Sequence, residues 1–158
     1  MKYITKDELA EMMKDETLVM KKDYVVIDVR DEDRAGGHII GSISRPSAEF
    51  HTGIDQLIKT TKDVPLVIFH CALSQMRYVL LSRNMYEETR NNILWGDAAV
   101  EKQQVAVLRD GFVGFQDKYR HDPKLVEKWD KEVWAPNVIA LPANLDDLIP
   151  ESSTNTST

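Results

Sequence analysis

The feature that most constrains this chain is a recurrence of short apolar runs, rich in Val and Ile, separated by stretches with helical spacing. "YVVIDV" (24–29), "PLVIFH" (65–70) and "VAVL" (105–108) are near-continuous in apolar residues. Runs of this length fit strands buried on both faces, the condition of a parallel sheet. Between them, Phe50, Ile54, Leu57 and Ile58 follow the helical period, and residues 76 to about 88 suit a helix. "RDGF" then turns into a helix carrying Phe112, Phe115 and Tyr119. Strands that alternate with helices predict an α/β domain with a central, mostly parallel sheet flanked by helices.

The remaining segments read less regularly. Thr5 and Glu8 form a capping-box pattern ahead of a short helix that presents Leu9, Met12 and Met13 on one face. "GGHIIGSI" (36–43) is punctuated by glycine and leads to a short strand stopped at Arg45-Pro46. Residues 89–103 are polar and read as irregular, with "LWGD" as a turn. Asp122-Pro123 has the form of an N-cap followed by proline at the first helical position, with Leu125, Trp129 and Val133 as that helix's buried stripe. One domain is expected over residues 1–136. Residues 137–158 form a C-terminal extension, expected to be disordered from about residue 150, where "PESSTNTST" is polar throughout.

Charge and composition narrow the function classes. The net charge is −6, and residues 137–158 carry Asp146, Asp147 and Glu151 with no Lys or Arg. An acidic chain argues against nucleic acid as a partner, although local charge can still hold a small anion. No apolar run approaches the roughly 20 residues that span a bilayer, so no membrane partner is expected. The acidic N-terminus "MKYITKDELAEMM" does not read as a secretory signal. Cys71 is the only cysteine, which rules out an internal disulfide and a Cys-rich metal site. A cytoplasmic or nuclear home is the expectation.

The chemistry concentrates in "VIFHCALSQMRYVLL" (67–81), where an apolar strand runs into His70-Cys71 and Arg77 opens the next helix. The loop between them lies at the carboxyl end of a parallel strand, where open α/β sheets bind ligands. Successive N–H groups in such a loop can form an anion-binding nest, and the following helix adds its positive end. The planar guanidinium of Arg77 can clamp two oxygens of a tetrahedral oxyanion. The same surroundings are expected to favour a Cys71 thiolate, making it a nucleophile aimed at phosphate or a phosphate mimic. A lone cysteine after an apolar strand is otherwise a small buried hydrophobe. His70 reads as a structural residue that hydrogen-bonds around the loop, and Asp28 with Arg30 as a local ion pair.

In this setting the chain resembles the rhodanese-like superfamily over roughly residues 3–120. "VVIDVRDEDRAGGHIIGSI" is similar to the superfamily's first signature, Asp-x-Arg followed by Gly-His-Ile-x-Gly, and "VLRDGFVGFQ" to its last. The resemblance implies a three-layer rhodanese-like domain. Sulfur-transferring members place six residues in the active loop. Here the stretch Cys71-Ala72-Leu73-Ser74-Gln75-Met76-Arg77 has seven. That length resembles the cell-cycle dual-specificity phosphatases and the small fungal and protozoan enzymes related to them, some of which reduce arsenate.

The resemblance implies Cys71 as nucleophile, Arg77 as oxyanion clamp, and the N–H groups of Ala72, Leu73, Ser74, Gln75 and Met76 as the cradle. It implies a phosphatase of the protein tyrosine or dual-specificity type, working through a phosphocysteine and needing no cofactor. Its substrate would be a phosphorylated protein or a small anion. Arsenate reduction is the alternative, with glutathione or a glutaredoxin as external reductant, because Cys71 has no second protein thiol to resolve it. A non-catalytic interaction module is a further reading.

The sequence departs from the pattern in four places. Tyr78-Val79 stand where Gly-Pro is common, the loop has no acidic side chain, Asp110 replaces the first glycine of a Gly-Gly-Phe turn, and Phe115 stands where Trp is usual.

Overall fold

The computed structural model describes residues 1–31, 34, 36–73 and 77–134. In chain order its elements are β1 (Lys2–Ile4), α1 (Lys6–Lys14), β2 (Val25–Asp28), β3 (His38–Ile39), β4 (Ile43–Ser44), a 3-10 turn (Ser47–Thr52) and α2 (Ile54–Thr61). There follow β5 (Leu66–His70), α3 (Arg77–Ile93), α4 (Ala98–Lys102), β6 (Gln104–Leu108), α5 (Gly111–Tyr119) and β7 (Val126–Glu127). Five strands form one sheet in the order β1-β6-β5-β2-β4, every neighbouring pair parallel. The α/β expectation is met.

The apolar runs become central strands because both of their faces are covered. Side chains alternate across a strand, and the core divides accordingly. Val25, Ile27, Val67, Phe69, Val105 and Val107 pack with α2 and α3 on one face. Val26, Ile68, Ala106 and Leu108 pack with Leu9 of α1 and with Phe112 and Phe115 of α5 on the other. This is the three-layer arrangement. Cys71, one step beyond β5, belongs to the α3 face.

Local signals were obeyed where nothing competed with them. Thr5 Oγ1 accepts from the Glu8 N–H at 3.1 Å, and Glu8 Oε1 accepts from the Thr5 N–H at 2.8 Å, so the capping box opens α1. Asp110 adopts a left-handed φ of 66° at the turn into α5, as its position in "RDGF" requires.

Three expectations are corrected. The segment around Phe50 is not one helix, since the 3-10 turn and α2 meet at Gly53. Residues 89–103 are irregular only in part: "LWGD" turns as expected, but helices flank it. α3 runs on to Ile93 and α4 occupies 98–102. Arg90, in the last turn of α3, is buried and donates to Gln103 Oε1 at 2.9 Å. The expected helix beginning at Asp122-Pro123 is absent. The Asp122 carbonyl accepts from the N–H groups of Leu125 and Val126 to close a turn. Val126 and Glu127 then pair antiparallel with Ile39 and His38, and helical backbone resumes only at 131–134. β1 had no counterpart in the sequence reading: three residues carry no period, and β6 alone holds them in the sheet. The domain boundary at residue 136 and the disorder expected from about 150 lie outside the described residues. No described helix is long and apolar enough to cross a membrane.

Candidate active site

Cys71 follows the last residue of β5, at the carboxyl end of the central strand, and is 7% exposed. Its backbone is clamped from two directions. The Phe112 N–H donates to the Cys71 carbonyl at 2.9 Å, and the Val113 N–H donates to the Ala72 carbonyl at 3.0 Å. His70 Nδ1 lies 3.0 Å from the same Cys71 carbonyl. The first turn of α5 therefore uses its otherwise unpaired N–H groups to fix where the cysteine sits. Sequence reasoning treated "RDGF" as a turn and missed this role. The signal was the Asp-Gly pair, which suits a backbone that must bend sharply against another one.

Gly111 makes that approach feasible. Its φ is 55°, and a Cβ there would stand 2.3 Å from the Ala72 carbonyl oxygen and 2.7 Å from that of Cys71. Gly111→Ala is expected to destabilise the domain by roughly 1–3 kcal/mol through backbone strain. Gly53→Ala, where no atom lies within 4 Å, should change stability by less than about 1 kcal/mol. Urea unfolding of the two variants makes the comparison, and equal midpoints would remove the close-approach argument.

The thiol departs from expectation. Cys71 Sγ donates to the Leu73 carbonyl oxygen at 2.6 Å. Burial pushes its pKa up to about 11. The backbone hydrogen bonding at Leu73 and the Arg30 charge pull it down, and Asp28 pushes it up. The expected thiolate is therefore not the resting form, because removal from water outweighs the neighbouring donors. At pH 7 a thiol of this pKa is about one part in ten thousand ionised, against a few per cent for a free cysteine. Alkylation by iodoacetamide, followed by mass, is expected to be about a hundredfold slower than for a free thiol at pH 7 and to climb about tenfold per pH unit toward pH 10. A plateau below pH 8 would contradict it.

Behind the cysteine lies a fully buried carboxylate. Asp28 ends β2, and Arg30 grips it through Nε at 3.0 and 3.1 Å and Nη2 at 2.7 Å. Arg30 Nη2 also donates to the Gly37 carbonyl at 2.9 Å, and the guanidinium lies 4.5 Å from the Phe112 ring centroid. Arg34 Nε and His70 Nε2 face the same Asp28 oxygen at 3.4 and 3.9 Å. Burial alone would raise the Asp28 carboxyl, but His70 when charged and the Arg30 fork outweigh it and hold it below the ordinary range. Burial lowers the His70 pKa, against the pull of Asp28. The local ion pair read from sequence is present. It also supports the cysteine, since Arg30 stacks on the residue whose N–H holds Cys71.

Arg77 is the first residue of α3 and is exposed. The next two side chains divide. Val79 is buried in the core, and Tyr78 stands 54% exposed beside the loop. Ala72 and Leu73 begin the loop, and Leu73 is exposed. Ser74, Gln75 and Met76 lie outside the described residues.

Comparison with known proteins follows the same lines. The family model described as a rhodanese-like domain matches residues 5–118. The chain is 32% identical over 118 residues to the dual specificity phosphatase Cdc25 of Arabidopsis thaliana, covering 72% of each chain. It is 30% identical over 115 residues to arsenate reductase 2.2 of Oryza sativa, covering 72% of this chain and 81% of the other. Among solved structures, a yeast protein tyrosine phosphatase of the rhodanese family superposes with a TM-score of 0.68 at 24% identity, over 84% of this chain and 96% of the other. That likeness carries the fold.

Proposed function

Since the chain belongs to the rhodanese-like domain family, we propose that it is a cysteine-dependent phosphatase of the protein tyrosine or dual-specificity type, acting on phosphate monoesters. One observation carries this reading most. Cys71 is held by its backbone at the carboxyl end of the central strand, and the loop that follows ends at Arg77 on the first turn of α3. The similarity to a plant dual specificity phosphatase supports the same choice.

In this reading the loop N–H groups of residues 72–76 and the Arg77 fork bind the three non-bridging oxygens. The loop holds no Asp or Glu to protonate a leaving group. The Cys71 thiol is protonated at rest and can supply that proton itself. The proton passes to the bound dianion and ends on the leaving-group oxygen, while the S–P bond forms and the P–O bond breaks. Water then attacks the phosphocysteine. The S–P bond breaks, inorganic phosphate departs and the thiol is restored.

Arsenate reduction is the second reading, supported by the similarity to a rice arsenate reductase and by the single cysteine. Cys71 displaces an arsenate oxygen as water, and glutathione attacks the sulfur. Arsenic(V) leaves as arsenite with two electrons, and Cys71 remains as a mixed disulfide. A second glutathione, or a glutaredoxin, reduces it.

The deciding experiment measures turnover of p-nitrophenyl phosphate, and of arsenate with glutathione and glutaredoxin, by the same preparation. Phosphate release from the aryl ester is expected. Turnover of arsenate alone would replace the first reading by the second, and silence on both would leave a binding module.

A further inference from the structure

α3 buries Val79, Ser82, Tyr86 and Arg90 against the sheet. Its outer face is not the polar surface that a solvated helix presents. Tyr78, Leu81 and Met85 occupy positions i, i+3 and i+7 and are 54%, 53% and 38% exposed. With 3.6 residues per turn these three fall within an arc of about 60°, so they form one apolar ridge along the helix. Charges stand at its two ends. Arg77 opens α3, and Glu88 lies about three turns further on, which puts both on the same flank of the ridge. Both are exposed, and neither has an ion-pair partner among the described residues. The neighbouring Glu87, by contrast, is held by Arg83 at 2.9 Å. Asn84 and Asn92, also exposed, add no charge to this face.

An apolar ridge with a cation at one end and an anion at the other calls for a partner helix of the reverse polarity, and α3 itself is one. Let a second copy of α3 lie antiparallel across the ridge at the usual spacing of about 8–10 Å, with the twofold axis between Leu81 and Met85. Leu81 of each copy then faces Met85 of the other. A twofold across the helices keeps each flank on its own side. Arg77 of one copy therefore stands level with Glu88 of the other, to within about 1.5 Å along the helix axis. The same pair forms at both ends. A parallel arrangement would instead set Arg77 against Arg77 and Glu88 against Glu88, which like charges oppose. The two end charges thus select both the occupant and its direction.

We propose that two copies of this chain pair antiparallel through α3, with Leu81 on Met85 of the second copy and Arg77 on its Glu88. The contact sets a carboxylate on the guanidinium that would clamp an oxyanion, so each copy contributes a residue to the other's site and inhibits it. That consequence rests on the phosphatase reading above, whereas the pairing does not. Three apolar side chains from each copy bury less than the roughly 1,200 Å² of a lasting interface, and exposed ion pairs add little to it. The dimer is therefore a reversible one, forming between about 10 μM and 1 mM.

The test is sedimentation equilibrium of the full chain across that range, where the average mass is expected to rise from the monomer value toward twice it. Leu81→Asp should weaken the dimer about tenfold or more while the urea midpoint of the exposed-site variant stays put. Arg77→Glu and Glu88→Arg, each alone, set like charges together and should weaken it about fivefold. Both in one chain exchange the charges, remake the pairs and should bring the dissociation constant back to within about twofold of the starting protein. A monomer at every concentration would overturn the pairing. So would a dimer indifferent to Leu81→Asp, and so would a double variant no better than the single ones, since another face or another direction would then be in use. Sedimentation reads the pairing whether or not the chain hydrolyses a phosphate ester, so the two readings fail separately. Turnover of p-nitrophenyl phosphate per molecule should fall severalfold from the dilute to the concentrated end and stay level in Leu81→Asp. A dimer whose turnover per molecule does not fall would overturn the inhibition.

Discussion

Cys71→Ser is expected to abolish turnover of p-nitrophenyl phosphate, with a loss of about ten-thousand-fold or more, while leaving the fold intact. Loss of a covalent nucleophile reaches this size in enzymes whose catalytic groups act as a unit. A serine hydroxyl ionises far above any working pH, and the loop has no base to activate it. The fold should tolerate the change for a geometric reason. The Sγ–H donates to the Leu73 carbonyl, and a hydroxyl can make the same bond, so the unfolding free energy should move by only about 1 kcal/mol. A variant that folds and still turns over would remove Cys71 from the chemistry. Arg77→Lys is the companion. Arg77 is exposed, so stability should hold. Turnover should fall about a hundredfold or more, because a point charge cannot present the planar fork that two equatorial oxygens require.

The second large effect is on stability. Asp28→Ala is expected to destabilise the domain by about 3–5 kcal/mol, with the thermal midpoint falling roughly 10–20 °C. Removing the carboxylate leaves Arg30 nearly buried without its counter-ion, and Arg34 loses the same partner. Asp28→Asn keeps the shape and removes the charge, and should account for most of the loss. The pH dependence has a definite sign. The Asp28 carboxyl lies below its ordinary value in the folded chain. Its contribution is therefore complete above the ordinary carboxylate pKa of 3.8 and is lost as pH falls through the lower folded value. Urea unfolding at pH 7 and at pH 3 should show the Asp28→Asn difference shrinking at the acid end. An unchanged difference would mean that the pair contributes shape rather than charge. Because Arg30 packs on Phe112, Asp28→Ala should also loosen the Cys71 backbone and speed its alkylation, a readout that general destabilisation far from the site would not share.

The sequence by itself determined the architecture of this protein. Three β-branched runs long enough to cross one sheet, separated by helical periods, leave little choice but parallel strands covered on both faces. The burial of Val25–Asp28 and Val67–His70 follows that pattern residue by residue. It also determined the candidate chemistry, because a lone cysteine at a strand end and an arginine at a helix start are adjacent through the chain itself. The tertiary structure alone decided what surrounds them. Asp122-Pro123 carries a local helix signal worth about 1 kcal/mol. That is less than the strand pairing and burial of Leu125 and Val126 supply, so β7 forms instead. Arg90 and Gln103 are polar by name and buried by partnership. The clamp of Phe112 and Val113 on the cysteine loop joins residues some forty positions apart, a distance no periodicity spans. The protonation of the Cys71 thiol is hidden from the sequence for the same reason. Charge type is written in the sequence, whereas loss of water around Cys71 exists only once β5, α3 and α5 have closed on it.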